Sequence, residues 1–307
     1  MLPLFYCDHY DIPLPPGHKF PLRKYRLLRE ALTSDRGIDL LPAPLAFEHD
    51  LRRVHDADFV TEFLSGTLDP VKMRRIGFPW SPGLVDRTLA SVGGTLAATR
   101  TALSTGLAGV LAGGTHHAFR HEGSGFCVFN DIAVSTAWLL EQLPDLRIAI
   151  IDLDVHQGDG TASIFAEEIR VFSLSLHGAH NFPFRKQKSS LDIEFPDGTT
   201  DQPYIEALKT ALAAVSGFDP DFAFFQSGVD GLAGDRLGRL GLTLAGLAER
   251  DRLVLRWMIS QGITGVITLG GGYSEPIEHT VEAHLQTFRL ASASLSDFSK
   301  PLSRFSR

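Results

Sequence analysis

The segment Ile148-Ala149-Ile150-Ile151-Asp152-Leu153-Asp154-Val155-His156-Gln157-Gly158-Asp159-Gly160 constrains this chain more than any other. Its first half is almost continuously aliphatic, the pattern of a strand buried on both faces of a parallel sheet. Asp152, Asp154 and His156 then follow at spacing two, so in an extended chain they share one face. Two carboxylates and an imidazole at the carboxyl end of a buried strand cost free energy unless positive charge compensates them. A divalent metal supplies that charge, and open α/β sheets take their ligands at this edge. Gly158 and Gly160 let the backbone turn sharply beside the site.

Helical and strand patterns alternate along the rest of the chain. Residues 21–33, 83–104, 202–216, 243–261 and 276–290 read as helices, with Pro276 suited to a first turn and Gly262 to a helix stop. Residues 109–112, 147–153, 171–176, 222–226 and 266–269 read as strands. This predicts one α/β domain over residues 1–307, with a mostly parallel sheet flanked by helices on both faces. The 44% hydrophobic content supports a substantial core. The formal net charge of −7 argues against direct nucleic-acid binding. No apolar run reaches the roughly 18–20 residues of a membrane span, and no secretory leader is expected. Two cysteines, Cys7 and Cys127, are too few for a disulfide framework and suit a reducing cytoplasm.

Four predicted strands end in clusters of Gly, His, Asp or Tyr, which the fold class would bring together at one sheet edge. Gly113-Gly114-Thr115-His116-His117 follows the first. An isolated histidine pair is more often a surface loop, but here it lands beside the metal strand and can supply a base and an acid. Asp152 and Asp159 are available as carboxylate partners. Gln226-Ser227-Gly228-Val229-Asp230 follows another strand. A lone Asp there would serve as a cap or turn residue. With Asp154 and His156, however, Asp230 completes a three-ligand set that leaves positions open for water and substrate. Zinc suits such a set, and its oxygen content also admits iron(II) or manganese. Gly270-Gly271-Gly272-Tyr273 lacks the Gly-Lys-Ser/Thr of a phosphate loop. It reads instead as a turn delivering Tyr273, whose phenol can donate to a developing oxyanion. Gly125 and Phe126 can line a narrow apolar channel. Cys127 reads as a small buried residue, and His55 as structural. Arg23 reads as a surface residue or as part of an internal anion path.

These motifs resemble the histone deacetylase family of metal-dependent amidohydrolases, within the arginase–deacetylase fold. The resemblance rests on Gly114-Thr115-His116-His117-Ala118, Gly125-Phe126-Cys127, Asp152 to Gly160, Asp230 with Gly234-Asp235-Arg236-Leu237-Gly238, and Gly271-Gly272-Tyr273, in family order. The short length and Ile76-Gly77-Phe78-Pro79-Trp80-Ser81 look most like the class IV branch and its bacterial relatives. The resemblance implies zinc on Asp154, His156 and Asp230. It implies a histidine pair, His116 and His117, oriented by Asp152 and Asp159, and Tyr273 polarising an acyl carbonyl. Phe126 and Phe182 would wall the substrate channel beside Gly125 and Gly271. A structural potassium ion would be held at Asp152, Asp154, His156, Ser175 and Leu176, and a second near Phe165, Glu168 and Val171.

One departure stands out. Many members carry a rim Asp that holds a peptide backbone, whereas Phe78, Pro79 and Trp80 stand here. That predicts an apolar rim suited to a longer acyl chain or a small metabolite. The implied reaction is hydrolysis of an acylated amine, foremost Nε-acyl-lysine in a protein or peptide. Three rivals remain open. A two-manganese ureohydrolase would want Asp-x-His-x-Asp, but Gly158 fills the place of its second Asp. An acetylpolyamine or other small acyl-amine hydrolase would use the same site. A non-catalytic acyl-amine sensor would not need Tyr273 and both histidines.

Overall fold

The computed structural model describes residues 1–298. The strands are β1 (Leu2–Tyr6), β2 (Ile38–Pro42), β3 (Leu107–Val110), β4 (Ile148–Asp152), β5 (Val171–Gly178), β6 (Leu191–Phe195), β7 (Phe222–Gln226) and β8 (Thr264–Thr268). The helices are α1 (Arg23–Leu32), α2 (Glu48–Leu51), α3 (Ala57–Ser65), α4 (Pro70–Ile76), α5 (Pro82–Thr105), α6 (Asp131–Gln142), α7 (Asp159–Ile164), α8 (Asp201–Phe218), α9 (Leu244–Gln261) and α10 (Glu278–Ser294). The strands form one sheet in the order β2-β1-β3-β8-β7-β4-β5-β6. Every pairing is parallel, so the sheet is wholly rather than mostly parallel.

Parallel crossovers are right-handed. Connections running toward β6 therefore place α5, α6 and α7 on one face, and those running back place α1, α8 and α9 on the other, where α10, after the last strand, joins α9 and α1. The packing agrees: α5 lies against α6, β1, β3 and β8, while α8, α9, α10 and α1 pack in succession. The central strands carry the core. Phe222, Phe224 and Phe225 of β7 are fully buried, each contributing about 2–3 kcal/mol by removal from water.

All five helices expected from periodicity are present, with ends shifted by a few residues. The strand expected at 109–112 is Leu107–Val110, so Leu111 and Ala112 lead into the loop that carries the histidines. Sequence periodicity missed β1, β2 and β6, together with five helices, of which α2, α4 and α7 span seven residues or fewer.

The long connection from β3 to α6 is fixed by buried polar groups. The Asp131 carboxylate accepts from the Gly114 and Thr115 amides at 3.1 and 2.8 Å, and from the hydroxyls of Thr115 and Thr95, both at 2.6 Å. Asn130 caps α6 by accepting from the Ala133 amide and donates to Ala118 O and Thr161 Oγ1. His55 closes the loop at both ends: Nδ1 donates to Phe119 O and Nε2 accepts from the Asn130 amide, each at 2.9 Å. This structural role is the one the sequence suggested for it.

Burial pushes His55 down to about 4, below the roughly 6.5 of an unfolded histidine. The folded state therefore favours the neutral ring. Its contribution is complete above about pH 6.5 and is lost as the pH falls toward 4. Between pH 7 and pH 5 this one site is expected to remove about 2 kcal/mol of stability. Urea unfolding at both pH values should show a smaller acid loss in His55→Gln than in the unmodified protein. Equal losses would contradict the assignment.

Candidate active site

The carboxyl ends of β4 and β7 are neighbours in the sheet, with Asp152 opposite Gln226. The chain beyond each strand turns inward. Asp154, His156 and Asp230 are all buried, and one ligating atom from each lies within 4.8 Å of the others. His156 Nδ1 is 3.0 Å from Asp154 Oδ1 and 3.0 Å from Asp230 Oδ2. Asp154 Oδ2 accepts from the Gly271 amide at 2.6 Å, and Asp230 Oδ1 from the Val155 amide at 2.9 Å. Among the described residues, Asp230 Oδ2 has no hydrogen-bond donor beyond the His156 nitrogen that it shares with Asp154. Burial and the Asp154 charge push Asp230 up to about 6, as expected of two acids sharing too little compensating charge. An orphaned carboxylate oxygen aimed at an imidazole and a second carboxylate fits a divalent cation.

The backbone around these ligands leaves no spare room. A Cβ on Gly271 would collide with Asp230 Oδ2 and lie 2.9 Å from Asp154 Oδ2. Beneath them sits Arg250, fully buried, an ion partner of Asp251 at 2.8 Å. Its guanidinium also donates to the carbonyls of Leu153, Ser227 and Gly228. One side chain thus holds the ends of both ligand-bearing strands.

The histidine pair lies beside the ligands. His116 Nδ1 is 2.7 Å from Asp152 Oδ2, and His117 Nδ1 is 2.7 Å from Asp159 Oδ1. Both pairings match the sequence expectation. The rings are 4.1 Å apart between centroids, yet their environments differ. Burial works against charge on His116, but the Asp152 carboxylate outweighs it and holds the ring at about 9. Burial and the neighbouring His116 charge push His117 down to about 4. Two adjacent imidazoles driven apart in this way is a pattern found where proton transfer is divided between groups.

A cavity of about 430 Å³ opens above them, walled by His117, Gly125, Phe126, His156, Phe182 and Tyr273. Phe182 stands edge-on to His117 at 4.8 Å. Phe126 takes a left-handed backbone at φ +66°, a strained state for a residue with a side chain. The Gly125 and Phe126 amides hold it by donating to Arg75 O and Ile76 O. Gly125 is itself at φ +53°, and a Cβ there would come within 2.8 Å of His117 Cδ2. Cys127 is buried, with Sγ 3.5 Å from Gly125 O.

The turn bearing Tyr273 is held from two sides by residues whose role the sequence did not announce. Lys24 Nζ donates to Gly270 O at 3.0 Å and Gly272 O at 3.5 Å, and lies 5.4 Å from the Tyr273 ring centroid. Asp235 Oδ2 accepts from the Tyr273 amide at 2.6 Å. Burial pushes the Lys24 ammonium down to about 8, against the pull of Asp230 and Asp154. Arg23, considered for an internal path, is exposed, and it is Lys24 that points inward. The usable signal was positional, since Lys24 recurs at spacing four with Leu28 and Leu32 on the buried side of α1.

The rim also differs from expectation. Phe78 packs behind Phe126, and Trp80 donates to Phe63 O from a neighbouring groove. Neither lines the cavity, whose mouth is formed by Arg75, His180, Phe184 and Arg239. Of the residues implied for potassium, Asp152 and Ser175 face each other in register. Asp154, His156 and Leu176 are buried close by. Phe165, Glu168 and Val171 lie on the turn entering β5, where Arg170 engages the Glu168 carboxylate.

Comparison with known proteins agrees with this geometry. The histone deacetylase domain matches residues 18–288. The chain belongs to the histone deacetylase family. It is 44% identical to an uncharacterized protein of Picosynechococcus over 94% of this chain and 98% of that one. It is 35% identical to histone deacetylase 2 of Arabidopsis thaliana, covering 88% of this chain and 74% of the relative. It is 30% identical to a probable deacetylase of Archaeoglobus fulgidus, covering 88% and 79%. The protein is thus a deacetylase-family hydrolase with a buried Asp-His-Asp group compatible with a metal. No helix among the described residues is long and apolar enough to cross a membrane.

The close approach at Gly271 yields a test. Gly271→Ala is expected to keep its circular dichroism spectrum but hold less than about half the metal of the unmodified protein after equilibration at limiting metal, in line with losses from disturbed ligand support. Full metal content, read by plasma mass spectrometry, would contradict the packing argument.

Proposed function

We propose that this protein is a metal-dependent deacylase that hydrolyses Nε-acyl-lysine. The observation carrying the reading is the convergence on one cavity of a three-residue metal set, two oppositely tuned His–Asp pairs and a tyrosine. Zinc is the metal proposed for Asp154, His156 and Asp230, with iron(II) an acceptable occupant of the same donors. Bound there, the ion would polarise the acyl carbonyl and acidify water.

The chain's own residues divide the remaining work. His117 donates through Nδ1 to Asp159, which leaves its Nε2 lone pair free for a proton from the attacking water. His116 carries its positive charge nearby, balanced by Asp152, and can protonate the departing amine. The Tyr273 phenol is held neutral, since burial and the Asp230 charge push it upward. It can therefore donate to the oxygen that gains negative charge. Phe126 and Phe182 exclude water along the substrate's alkyl stem.

A structural potassium ion is proposed at Asp152, Asp154, His156, Ser175 and Leu176, supported by the burial of all five and by the pairing of Asp152 with Ser175. A class IV-like kinship is supported by residues 76–81. The two separate buried thiols support a reducing, cytoplasmic setting. Among the described residues one group of metal-ligating side chains occurs, which favours one catalytic ion over the paired ions of a ureohydrolase.

The assignment is tested on acyl-lysine peptides of graded acyl length. Tyr273→Phe is expected to lower kcat about 10²–10³-fold, and His117→Ala about 10²–10⁴-fold, with metal content retained in both. Undiminished turnover in both variants would refute these roles. No turnover of any acyl-lysine by the metal-loaded protein would refute the substrate class.

A further inference from the structure

The charge at the cavity mouth narrows the substrate class, and this inference rests on the acyl-lysine reading. Arg75, His180 and Arg239 line the mouth, and among the described residues no carboxylate lines it. Two acids stand just outside: Glu122 pairs with Arg75, and Asp197 is 3.2 Å from both Arg239 and His180. The loop that supplies Phe182 and Phe184 continues through Arg185, Lys186 and Lys188 without an acidic residue. Lys186 is folded back, its Nζ donating to Asn181 O at 2.6 Å and Pro183 O at 2.7 Å. Its charge therefore sits against the cavity wall. Arg185 and Lys188 are exposed, and among the described residues neither has a carboxylate within ion-pair distance.

Arg75 and Arg239 thus face Glu122 and Asp197, and Lys186 also meets the charges of Glu194 and Asp159, whereas Arg185 and Lys188 are left unpaired among the described residues. This local excess of positive charge occurs in a chain whose formal net charge is −7. Phe184, at the same mouth, is 86% exposed. Aromatic and arginine groups together form a rim suited to holding a peptide. Like-charge juxtaposition disfavours a polycationic substrate, whereas opposite charge raises encounter and holds register. The leaving amine becomes an ammonium after hydrolysis, so the same field favours its departure.

We infer that this mouth selects acyl-lysines flanked by acidic residues in a peptide and disfavours acylated polyamines. The test uses the metal-loaded enzyme and two peptides with the same acyl-lysine, flanked on both sides by Glu or by Lys. At low salt, kcat/KM is expected to be at least about fivefold higher for the Glu peptide, and acetylputrescine to be the poorest substrate. The preference should shrink toward unity near 0.5 M salt, as a roughly 4 Å screening length implies. It should invert in the double variant Arg185→Glu with Arg239→Glu. Equal or better use of the Lys peptide, or a preference unchanged by the double variant, would overturn the inference. Fluorescence anisotropy with labelled versions of the same peptides scores the mouth independently of chemistry. Tighter binding of the Glu peptide without turnover would keep this inference and overturn the deacylase reading.

Discussion

Two carboxylates and an imidazole buried at adjacent strand ends set the conditions for everything near them. Asp154 and Asp230 come from different strands, yet their oxygens meet the same imidazole nitrogen of His156 at 3.0 Å. Such a cluster is stable only if backbone donors and positive charge surround it. The Gly271 and Val155 amides each supply a hydrogen bond. Arg250 ties together the carbonyls that lead into both ligand loops, and Lys24 ties down the turn opposite. The remaining deficit falls on Asp230 Oδ2, an arrangement compatible with a metal ion. The glycines around the cluster are a consequence of this crowding.

The same crowding explains how two chemically identical side chains come to differ. His116 and His117 are consecutive, and each has its own carboxylate 2.7 Å away. Asp152 stands at the end of the metal strand and Asp159 at the start of α7, so the two rings meet different fields. His116 keeps a proton, and its charge helps strip one from His117. This division depends on a loop that cannot drift. Asp131, Asn130 and His55 hold its backbone from below, while the strained Phe126 backbone is fastened to residues 75 and 76. Rigid support under a strained rim is a common way to preorganise a site.

The fold and most of the site were legible because burial and chemistry coincide in the sequence. β4 and β7 are buried on both faces and read as unbroken apolar runs that stop at their ligands. β2 and β6 escaped because they are edge strands, half-exposed, with Asp39, Asp192 and Glu194 diluting the pattern. β1 carries Pro3, a residue type that disfavours strands, yet Leu2 to Phe5 are buried between β2 and β3. Lys24, despite its spacing with Leu28 and Leu32, and Arg250 were passed over for the opposite reason. A cation in a helix is ordinarily solvated, and only the tertiary structure shows that these two meet backbone carbonyls. Trp80 misled because an aromatic near a motif suggests a rim. Its indole N–H instead found Phe63 O and settled in a neighbouring groove.

Diffraction from crystals of the metal-loaded protein, collected on both sides of the absorption edge of the bound transition metal, tests the central claim most directly. The account predicts a single anomalous peak per chain, coordinated by Asp154, His156 and Asp230. A peak elsewhere, no peak in fully active enzyme, or a second transition-metal peak bridged to the first would contradict it.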